Sequence, residues 1–390
     1  AQMESTPLLY QTLIQVLGCH SNWLDVRHFK TLAWMINGFI LSGKINLNAW
    51  AMYVQSRAQY VQRVIRRFRR FLDNDRLDVH PLYAPLLSQA LQGWDRKRVY
   101  VALDTSMLWN TSCLVRLSLI SRGRAVPIVW KVLEHGSASV AYEDDQALLD
   151  QAAQLFFPFG CQILFLADRG CADTHLMHHL LALGWHVRIR ITESFWMYQP
   201  GKRARNVRSI RLAAGHTACW HNVQITQERF GHVHLALGHT LVSKERWVVI
   251  SDEPTSLETF QEVGLRFDIE ENFLDDQSNG FQLESSLIRS AKALERLCVV
   301  LAVTTLYLLA QGTQVVQENK RRLVDPHWFR GSSYLKIGWN WVKRALSKGE
   351  DLLTCLALSP EPDPEPAMAS RKQHLQRTQP RFLLEVPKAA

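Results

Sequence analysis

Apolar residues recur at three- and four-residue steps through the first quarter of the chain, a spacing that is typical of amphipathic helices. The spacing predicts helices over residues 6–17, 26–41 and 47–72, with an N-cap at Asn46 for the last. Strand-like patterns are scarce before residue 95. The sequence therefore predicts an N-terminal helical domain over residues 1–95.

The pattern changes after this segment to short runs rich in Val, Ile and Leu, separated by turn-like residues. The runs that predict strands are 99–104, 112–120, 125–133, 161–168 and 185–191, and helical spacing returns over 142–157 and 174–182. Three strands, a helix and then strand–helix–strand indicate a mixed α/β sheet. Residues 96–191 are expected to form the first part of this domain.

Residues 192–257 interrupt that order with short alternating segments, which predict a β-rich insertion. The strands expected in it are 208–213, 217–224, 232–238 and 246–251. Helical spacing resumes near residue 257, so residues 258–345 are expected to complete the α/β domain. The final segment, 346–390, contains PEPDPEP and has no periodicity, which is typical of a flexible tail.

Hydrophobic residues make up 47% of the 390 residues and charged residues 21%, values that exclude a fibrous or wholly disordered chain. The longest apolar stretch, 297–310, is shorter than the roughly 18 residues that span a bilayer. No segment resembling a secretion signal opens the chain. The seven cysteines form no Cys-x-x-Cys pair, which argues against a disulfide framework or a cysteine zinc site. We therefore expect a soluble cytoplasmic protein that does not enter a membrane.

Lys and Arg number 45 against 36 Asp and Glu, and this surplus favours a polyanionic partner. The excess is concentrated in the helix expected near residues 57–70, where no acidic residue lies at four-residue spacing to neutralise it. A second basic group lies in the expected insertion. The alternative for such runs is a solvated surface, but we expect contacts to phosphates from Arg63, Arg66, Arg67, Arg69, Arg70, Lys202, Arg203 and Arg205.

Two aspartates stand at the expected ends of strands. Asp104 follows the strand VYVAL, and Asp168 follows QILFLA. In open α/β sheets the ligand crevice lies beyond the carboxyl ends of the strands, so both positions favour function. The alternative is an ordinary turn or helix-capping aspartate.

A third carboxylate is expected from the segment RFDIEENF. Arg266 and Glu270 lie four residues apart and share one face of a helix, although an ordinary ion pair would have the same spacing. Three carboxylates without a Cys or His set suit Mg²⁺. Two such ions stabilise the attacking and leaving oxygens of a phosphoryl displacement. Together with the basic charge, these residues predict metal-dependent chemistry on nucleic-acid strands.

The segments ALDTSMLW, LFLADRGCAD and RFDIEENF resemble the three motifs of bacterial insertion-sequence transposases of the DDE type. The most similar branch has a Tyr-x2-Arg-x3-Glu-x6-Lys signature and a β-strand insertion before the Glu. Segments 42–51, 66–74, 122–137 and 280–297 are similar to that family as well, so that the resemblance covers about residues 25–345.

The resemblance implies a ribonuclease H-like catalytic core that binds two Mg²⁺ or Mn²⁺ ions. It implies that Asp104, Asp168 and Glu270 are the metal ligands and the catalytic triad, and that Arg266 contacts the DNA. It implies a transposase that cleaves double-stranded DNA at the terminal inverted repeats of an insertion sequence. The freed 3′-hydroxyl is then joined to target DNA by a homodimer at the bacterial nucleoid. The signature positions of Tyr and Lys hold Val263 and Gln277 here.

Two other functions remain open from the sequence. A decayed or repurposed transposase would bind DNA without cleaving it. The departures at Val263 and Gln277 slightly favour this alternative, and the intact triad opposes it. A hydrolytic nuclease would use the same metal site without joining strands, but the long helical N-terminal region and the basic insertion argue against it.

Overall fold

The computed structural model describes residues 7–18, 25–56, 58, 60–137, 140–169, 173–241, 243–265, 283–361, 363–365, 382 and 384–385. The α-helices in this part of the chain are α1 (Leu8–Gly18), α2 (Val26–Ser42), α3 (Leu47–Ala51), α4 (Val61–Leu72), α5 (His80–Ala90), α6 (Tyr142–Phe156), α7 (Thr174–Ala182), α8 (Leu257–Gly264), α9 (Ala291–Gln317) and α10 (Tyr334–Lys348). The strands are β1 (Arg98–Leu108), β2 (Ser112–Ser121), β3 (Arg124–Leu133), β4 (Gln162–Ala167), β5 (His186–Ile191), β6 (Trp196–Tyr198), β7 (Arg205–Asn206), β8 (His216–Ile225), β9 (Phe230–His239), β10 (Arg246–Ser251) and β11 (Leu384–Glu385).

The N-terminal helices largely follow the predicted spacing. The Asp25 side chain accepts a hydrogen bond from the Arg27 amide and caps α2, which ends at Gly43 in the left-handed conformation at φ 69°. The single helix predicted over 47–72 is wrong, because α3 and α4 are separate. Trp50 of α3 packs edge-on against Phe68 of α4, with ring centroids 6.3 Å apart, so α4 folds back onto α3.

The strands form one mixed sheet with the order β3-β2-β1-β4-β5-β10-β9-β8-β6-β7, and β11 pairs with β8. Strands β1, β2 and β3 are antiparallel neighbours, while β4 and β5 run parallel to β1. The turn between β2 and β3 places Arg122 and Gly123 at φ 55° and 71°, the backbone that two-residue hairpins favour. The predicted mixed α/β class is confirmed.

The strands of the predicted insertion continue this sheet, because β10 pairs with β5 in an antiparallel register. The strand predicted over 246–251 is confirmed as β10. The strand predicted over 208–213 is wrong: Val207–Ser209 form a 3₁₀ turn. The Asn206 side chain accepts a hydrogen bond from the Arg208 amide at 3.0 Å, and such a local turn competes with strand pairing.

Helices cover both faces of the sheet. Trp130 of β3 donates its indole N–H to the Glu295 carbonyl of α9, whereas its neighbour Lys131 contacts Asp144 of α6 at 2.6 Å. Since successive strand residues point to opposite faces, α9 lies on one face and α6 on the other. Helix α9 is long and apolar enough to cross a membrane, but 94% of its most apolar window is buried inside the fold.

The C-terminal segment packs against the body of the protein. The Leu358 amide donates to the Ala90 carbonyl at 2.8 Å, and the Trp94 indole donates to the Leu358 carbonyl at the same distance. Phe382 is buried against Phe260 of α8, with ring centroids 4.4 Å apart. The flexible tail predicted over 346–390 is therefore wrong for the described residues of that segment. Its buried leucines, Leu352, Leu356 and Leu358, are four and then two residues apart, so no single period revealed them.

Candidate active site and nucleic-acid interface

Asp104 lies on β1, and Asp168 directly follows the neighbouring strand β4. The parallel register of β1 and β4 pairs Ala102 with Leu166, and two further residues along each strand bring Asp104 beside Asp168. Neighbouring strands are about 4.8 Å apart, and residues paired in register point to the same face. The two predicted carboxylates are thus brought together at the end of the β1–β4 pairing.

The two aspartates differ from the prediction in one respect. Asp168 directly follows β4 as expected, but β1 continues past Asp104 to Leu108, so the prediction that Asp104 ends its strand is wrong. Beyond Asp104 the strand is held by its other neighbour, β2, with Leu108 opposite Ser112. What ends near Asp104 is the pairing with β4.

Both aspartates are partly exposed. The Asp168 side chain is 40% exposed, although its Oδ1 is buried, and Asp104 is half-buried. Asp104 Oδ1 accepts a hydrogen bond from the Thr105 amide at 2.9 Å, which restrains the carboxylate. The two residues therefore lie at the boundary between the core and solvent.

Two buried arginines flank the pair in the same row of the sheet. Arg116 of β2 is in register with Asp104, and one step beyond the pairing of Ala167 with Ile189 places Arg190 beside Asp168. The row across four strands reads Arg116, Asp104, Asp168, Arg190. Each of these arginines exposes only about one-twentieth of its surface. They were not identified from the sequence, because their place in the row depends on strand register.

Arg190 is fixed on several sides. Its Nε lies 3.9 Å from Asp168 Oδ1, and its second terminal nitrogen lies 2.7 Å from Glu245 Oε1. Its guanidinium also stacks on the Trp247 ring at 4.6 Å. The guanidinium is therefore pre-positioned beside Asp168 and lowers the net negative charge of the aspartate pair.

Helix α8 lies on the same face as the aspartates. Glu262 of α8 accepts hydrogen bonds from Arg188 Nε at 3.0 Å and from the Tyr100 hydroxyl at 3.4 Å. Tyr100 precedes Asp104 by four residues on β1, an even number that puts both on one face. The helix ends at Gly264, one residue before the described range 243–265 ends.

The remaining predicted residues of this site, Arg266 and Glu270, lie outside the described residues, as does Gln277. Val263, at the position of the signature Tyr, is described. It is 1% exposed and belongs to an apolar cluster with Phe260. A buried valine there leaves no side-chain donor for a phosphate.

The predicted basic helix is α4, whose buried face is formed by Val64, Phe68 and Phe71. The arginines on its exposed side are Arg63, Arg66, Arg69 and Arg70. Arg67 differs from them, because its Nε donates to Thr31 Oγ1 at 2.8 Å and burial lowers its pKa. The basic surface of α4 therefore has four solvent-facing guanidiniums and one that also ties α4 to α2.

An open groove of about 780 Å³ runs between α2 and α4. The side chains that line it are Arg27, His28, Lys30, Thr31, Arg63, Arg66, Arg67, Arg70 and Phe71. Arg27 and Lys30 of α2 were not predicted as part of this surface. Arg27 also pairs with Asp25 at 2.8 Å. The groove thus concentrates cations from two helices where the sequence indicated only one.

The second predicted basic group lies at the β6–β7 edge of the sheet. Lys202, Arg203 and Arg205 are all exposed there, close in the chain to Trp196, which is 40% exposed. No ion pair involves these three cations among the described residues. The edge is therefore an exposed basic surface, separate from α4.

Within the described part of the chain, no group of three or more His, Cys, Asp or Glu side chains is arranged to hold a metal ion. Asp104 and Asp168 supply two carboxylates, and the third predicted ligand, Glu270, is outside those residues. Oxygen donors of this kind fit Mg²⁺ or Mn²⁺. In comparisons with known proteins, no family model and no curated protein matches this chain.

Proposed function

We propose that the protein is a DNA transposase that cleaves at the ends of an insertion sequence and joins the freed 3′-hydroxyl to target DNA. The observation that carries the proposal is the position of Asp104 and Asp168, each two residues past the last register pair of the adjacent parallel strands β1 and β4. Both come from motifs that resemble those of DDE transposases, although they are separated by 64 residues in the chain.

The architecture supports a ribonuclease H-like core. A mixed sheet with helices on both faces carries the two aspartates, and the strands between β5 and α8 stand where the resemblance implies an insertion. Glu270 follows α8 in the chain. This order of elements is the order that the proposal requires.

The chain's own residues define what the site can do. Asp104 and Asp168 would hold Mg²⁺ or Mn²⁺, and two such ions would stabilise the attacking and leaving oxygens of a phosphodiester. Arg116 and Arg190 offset part of the negative charge of the two aspartates. The pair alone is therefore a weak cation site, so that the proposal needs Glu270 and a DNA phosphate to complete it.

The basic surfaces support double-stranded DNA as the partner. The groove between α2 and α4 and the β6–β7 edge are cationic and exposed, as expected of a surface that binds a phosphate backbone. With the resemblance, they favour the terminal inverted repeats and target DNA as ligands of a homodimer in the bacterial cytoplasm. The exposed arginines of α4 would contribute mainly sequence-independent affinity.

A second candidate is a DNA-binding protein without catalysis. The buried Val263 favours it, because this position cannot offer the hydroxyl that the signature implies. The two candidates share the basic surfaces and differ in whether the protein cleaves DNA strands through Asp104 and Asp168.

The test is nicking of a supercoiled plasmid that carries the DNA flanking the gene, with Mg²⁺ or Mn²⁺. We expect Asp104→Asn and Asp168→Asn to abolish nicking while DNA binding is retained. Asp173→Asn is the matched control, since Asp173 caps α7 through its side-chain oxygen and asparagine caps equally well. Retained nicking in both active-site variants would contradict the proposal. DNA binding without nicking by the wild-type protein would favour the second candidate.

A further inference from the structure

The loop between α9 and α10 displays large apolar side chains to solvent. Trp328 is 82% exposed, Leu323 51% and Phe329 44%. Most large apolar side chains among the described residues are buried, so three exposed ones within seven residues are unusual. We call residues 320–333 the aromatic loop.

The aromatic loop is held by one buried guanidinium. Arg321 is only 6% exposed. It donates hydrogen bonds to the carbonyl oxygens of His327 at 2.9 Å, Trp328 at 3.0 Å and Phe329 at 3.2 Å. Three consecutive backbone carbonyls are thus fixed by a single side chain, and Trp328 is presented on an ordered backbone.

A buried carboxylate fixes the other side of the loop. Asp325 is fully buried, and its Oδ2 accepts hydrogen bonds from the amides of Gly331 at 2.9 Å and Ser332 at 3.3 Å. A Cβ on Gly331 would lie 2.0 Å from the His327 ring, so the close approach requires glycine. The loop is therefore pre-organised, which lowers the ordering cost of binding a partner through Trp328.

An exposed cation lies against the Trp328 ring. The Arg322 guanidinium stacks over this ring at 4.4 Å. Lys320 is exposed in the same loop, but it pairs with Glu318 at 2.7 Å and lies over the Trp341 ring. An aromatic ring with an adjacent guanidinium suits a ligand with a flat ring and a negative charge.

The size of the patch distinguishes between kinds of partner. A stable protein–protein interface buries roughly 800 Å² on each partner, far more than three side chains offer. Stacking of a single base on an aromatic ring needs no such area. We propose that the aromatic loop is a second DNA contact, in which Trp328 stacks on an unpaired base and Arg322 binds the neighbouring phosphate. The inference rests on the proposed function, since it assumes that DNA is the partner.

The test compares the affinities of the full-length protein for a 30-nucleotide single strand and for the corresponding duplex, by fluorescence anisotropy. We expect Trp328→Ala to weaken single-strand binding by roughly 5- to 150-fold and to leave duplex binding nearly unchanged. Trp328→Tyr should keep most of the affinity, because the ring is retained. Arg322→Ala should lower the log–log salt slope for the single strand by roughly 0.7.

Phe157→Ala is the matched control, since Phe157 is an 85% exposed aromatic outside the aromatic loop, and it should change neither affinity. Equal single-strand affinity of Trp328→Ala and wild type would overturn the inference, as would equal losses in both variants. A loss of self-association in sedimentation without a loss of affinity would assign the loop to a protein contact and overturn it too.

The plasmid-nicking test keeps this inference separate from the proposed function. If the wild-type protein nicks the plasmid and Trp328→Ala does not change single-strand affinity, only the proposed base contact is contradicted. If the wild-type protein does not nick the plasmid but Trp328→Ala selectively loses single-strand affinity, the base contact is supported and the catalytic proposal is contradicted.

Discussion

The arginines of helix α4 and those of the central sheet differ in environment although the residue type is the same. Arg66, Arg69 and Arg70 face solvent on α4. In the sheet, by contrast, Arg188 is buried and contacts Glu253 at 2.8 Å and Glu262 at 3.0 Å. The guanidiniums of these α4 arginines are accessible to a ligand, whereas the Arg188 guanidinium joins β5 to α8.

The two sets also differ in how far away their partners lie in sequence. An acid four residues away would neutralise a helical arginine, and its absence near α4 is visible in the chain. Arg98 of β1 contacts Glu253 and Glu262, which lie 155 and 164 residues further on. Although burial opposes it, hydrogen bonds and charge from Arg98 hold the pKa of Glu253 below its ordinary value. Local sequence thus reveals exposed charge more readily than buried charge.

The largest effect on stability is expected from the sheet. Arg188→Ala removes the hydrogen bonds of a buried guanidinium to Glu253 and Glu262, which keep Arg98 as a partner. Losing a hydrogen bond to a charged group costs about 1.5–3 kcal/mol. Arg66→Ala on α4 is the matched control and should change stability by less than about 0.5 kcal/mol. Urea unfolding followed by circular dichroism measures both. Similar losses in the free energy of unfolding for the two variants would contradict the distinction between the buried arginines of the sheet and the exposed arginines of α4.

A smaller effect, on binding alone, is expected from α4. Replacing Arg63, Arg66, Arg69 and Arg70 by Ala should weaken duplex binding and flatten its salt dependence, by roughly 0.9 in the log–log slope for each phosphate that the variant no longer neutralises. Arg67 is kept in this variant, because its bond to Thr31 joins α4 to α2. The measurement is anisotropy with a duplex across a salt series. An unchanged slope would mean that these arginines form only a solvated surface of the helix and contact no phosphates.

The smallest effect concerns the carboxylate of Asp145, which is next in the chain to the ion-paired Asp144. Burial and the nearby charges of Asp144 and Asp173 raise the pKa of Asp145 to about 6, while Lys131 pairs with Asp144. Because the folded pKa is above the unfolded one of 3.8, stability from this group is present below pH 4 and is lost as pH rises through about 6.

Asp145→Asn should therefore match wild type near pH 4 and become relatively more stable as pH rises to 8. Thermal unfolding at a series of pH values measures this difference. Glu143→Gln on the same helix is the control, because Glu143 is exposed. A difference that is constant with pH for Asp145→Asn would contradict the assignment.

Part of the site was predictable from the sequence, because it depends on local pattern. The apolar run before Asp168 correctly indicated a strand that ends there, and the spacing of apolar residues in α4 indicated its buried face. The extension of β1 past Asp104 was missed, since its last residues pair only with β2.

Other features depend on contacts between distant segments. The row of Arg116, Asp104, Asp168 and Arg190 follows from strand register, which the chain does not reveal on its own. The packing of Leu358 beside Ala90 likewise joins segments more than 260 residues apart. Such contacts are determined by tertiary packing, and no periodicity in either segment signals them.

The central claim is that Asp104 and Asp168 hold divalent cations for strand chemistry, and Mn²⁺ bound to the protein–DNA complex tests it most directly. Two ions in such a site lie roughly 3.5–4 Å apart and give a spin-coupled electron paramagnetic resonance spectrum. We expect this coupled signal in the wild-type complex and in Asp173→Asn, and its loss in Asp104→Asn and Asp168→Asn. A coupled signal that persists in both active-site variants, or its absence from the wild-type complex, would contradict the account.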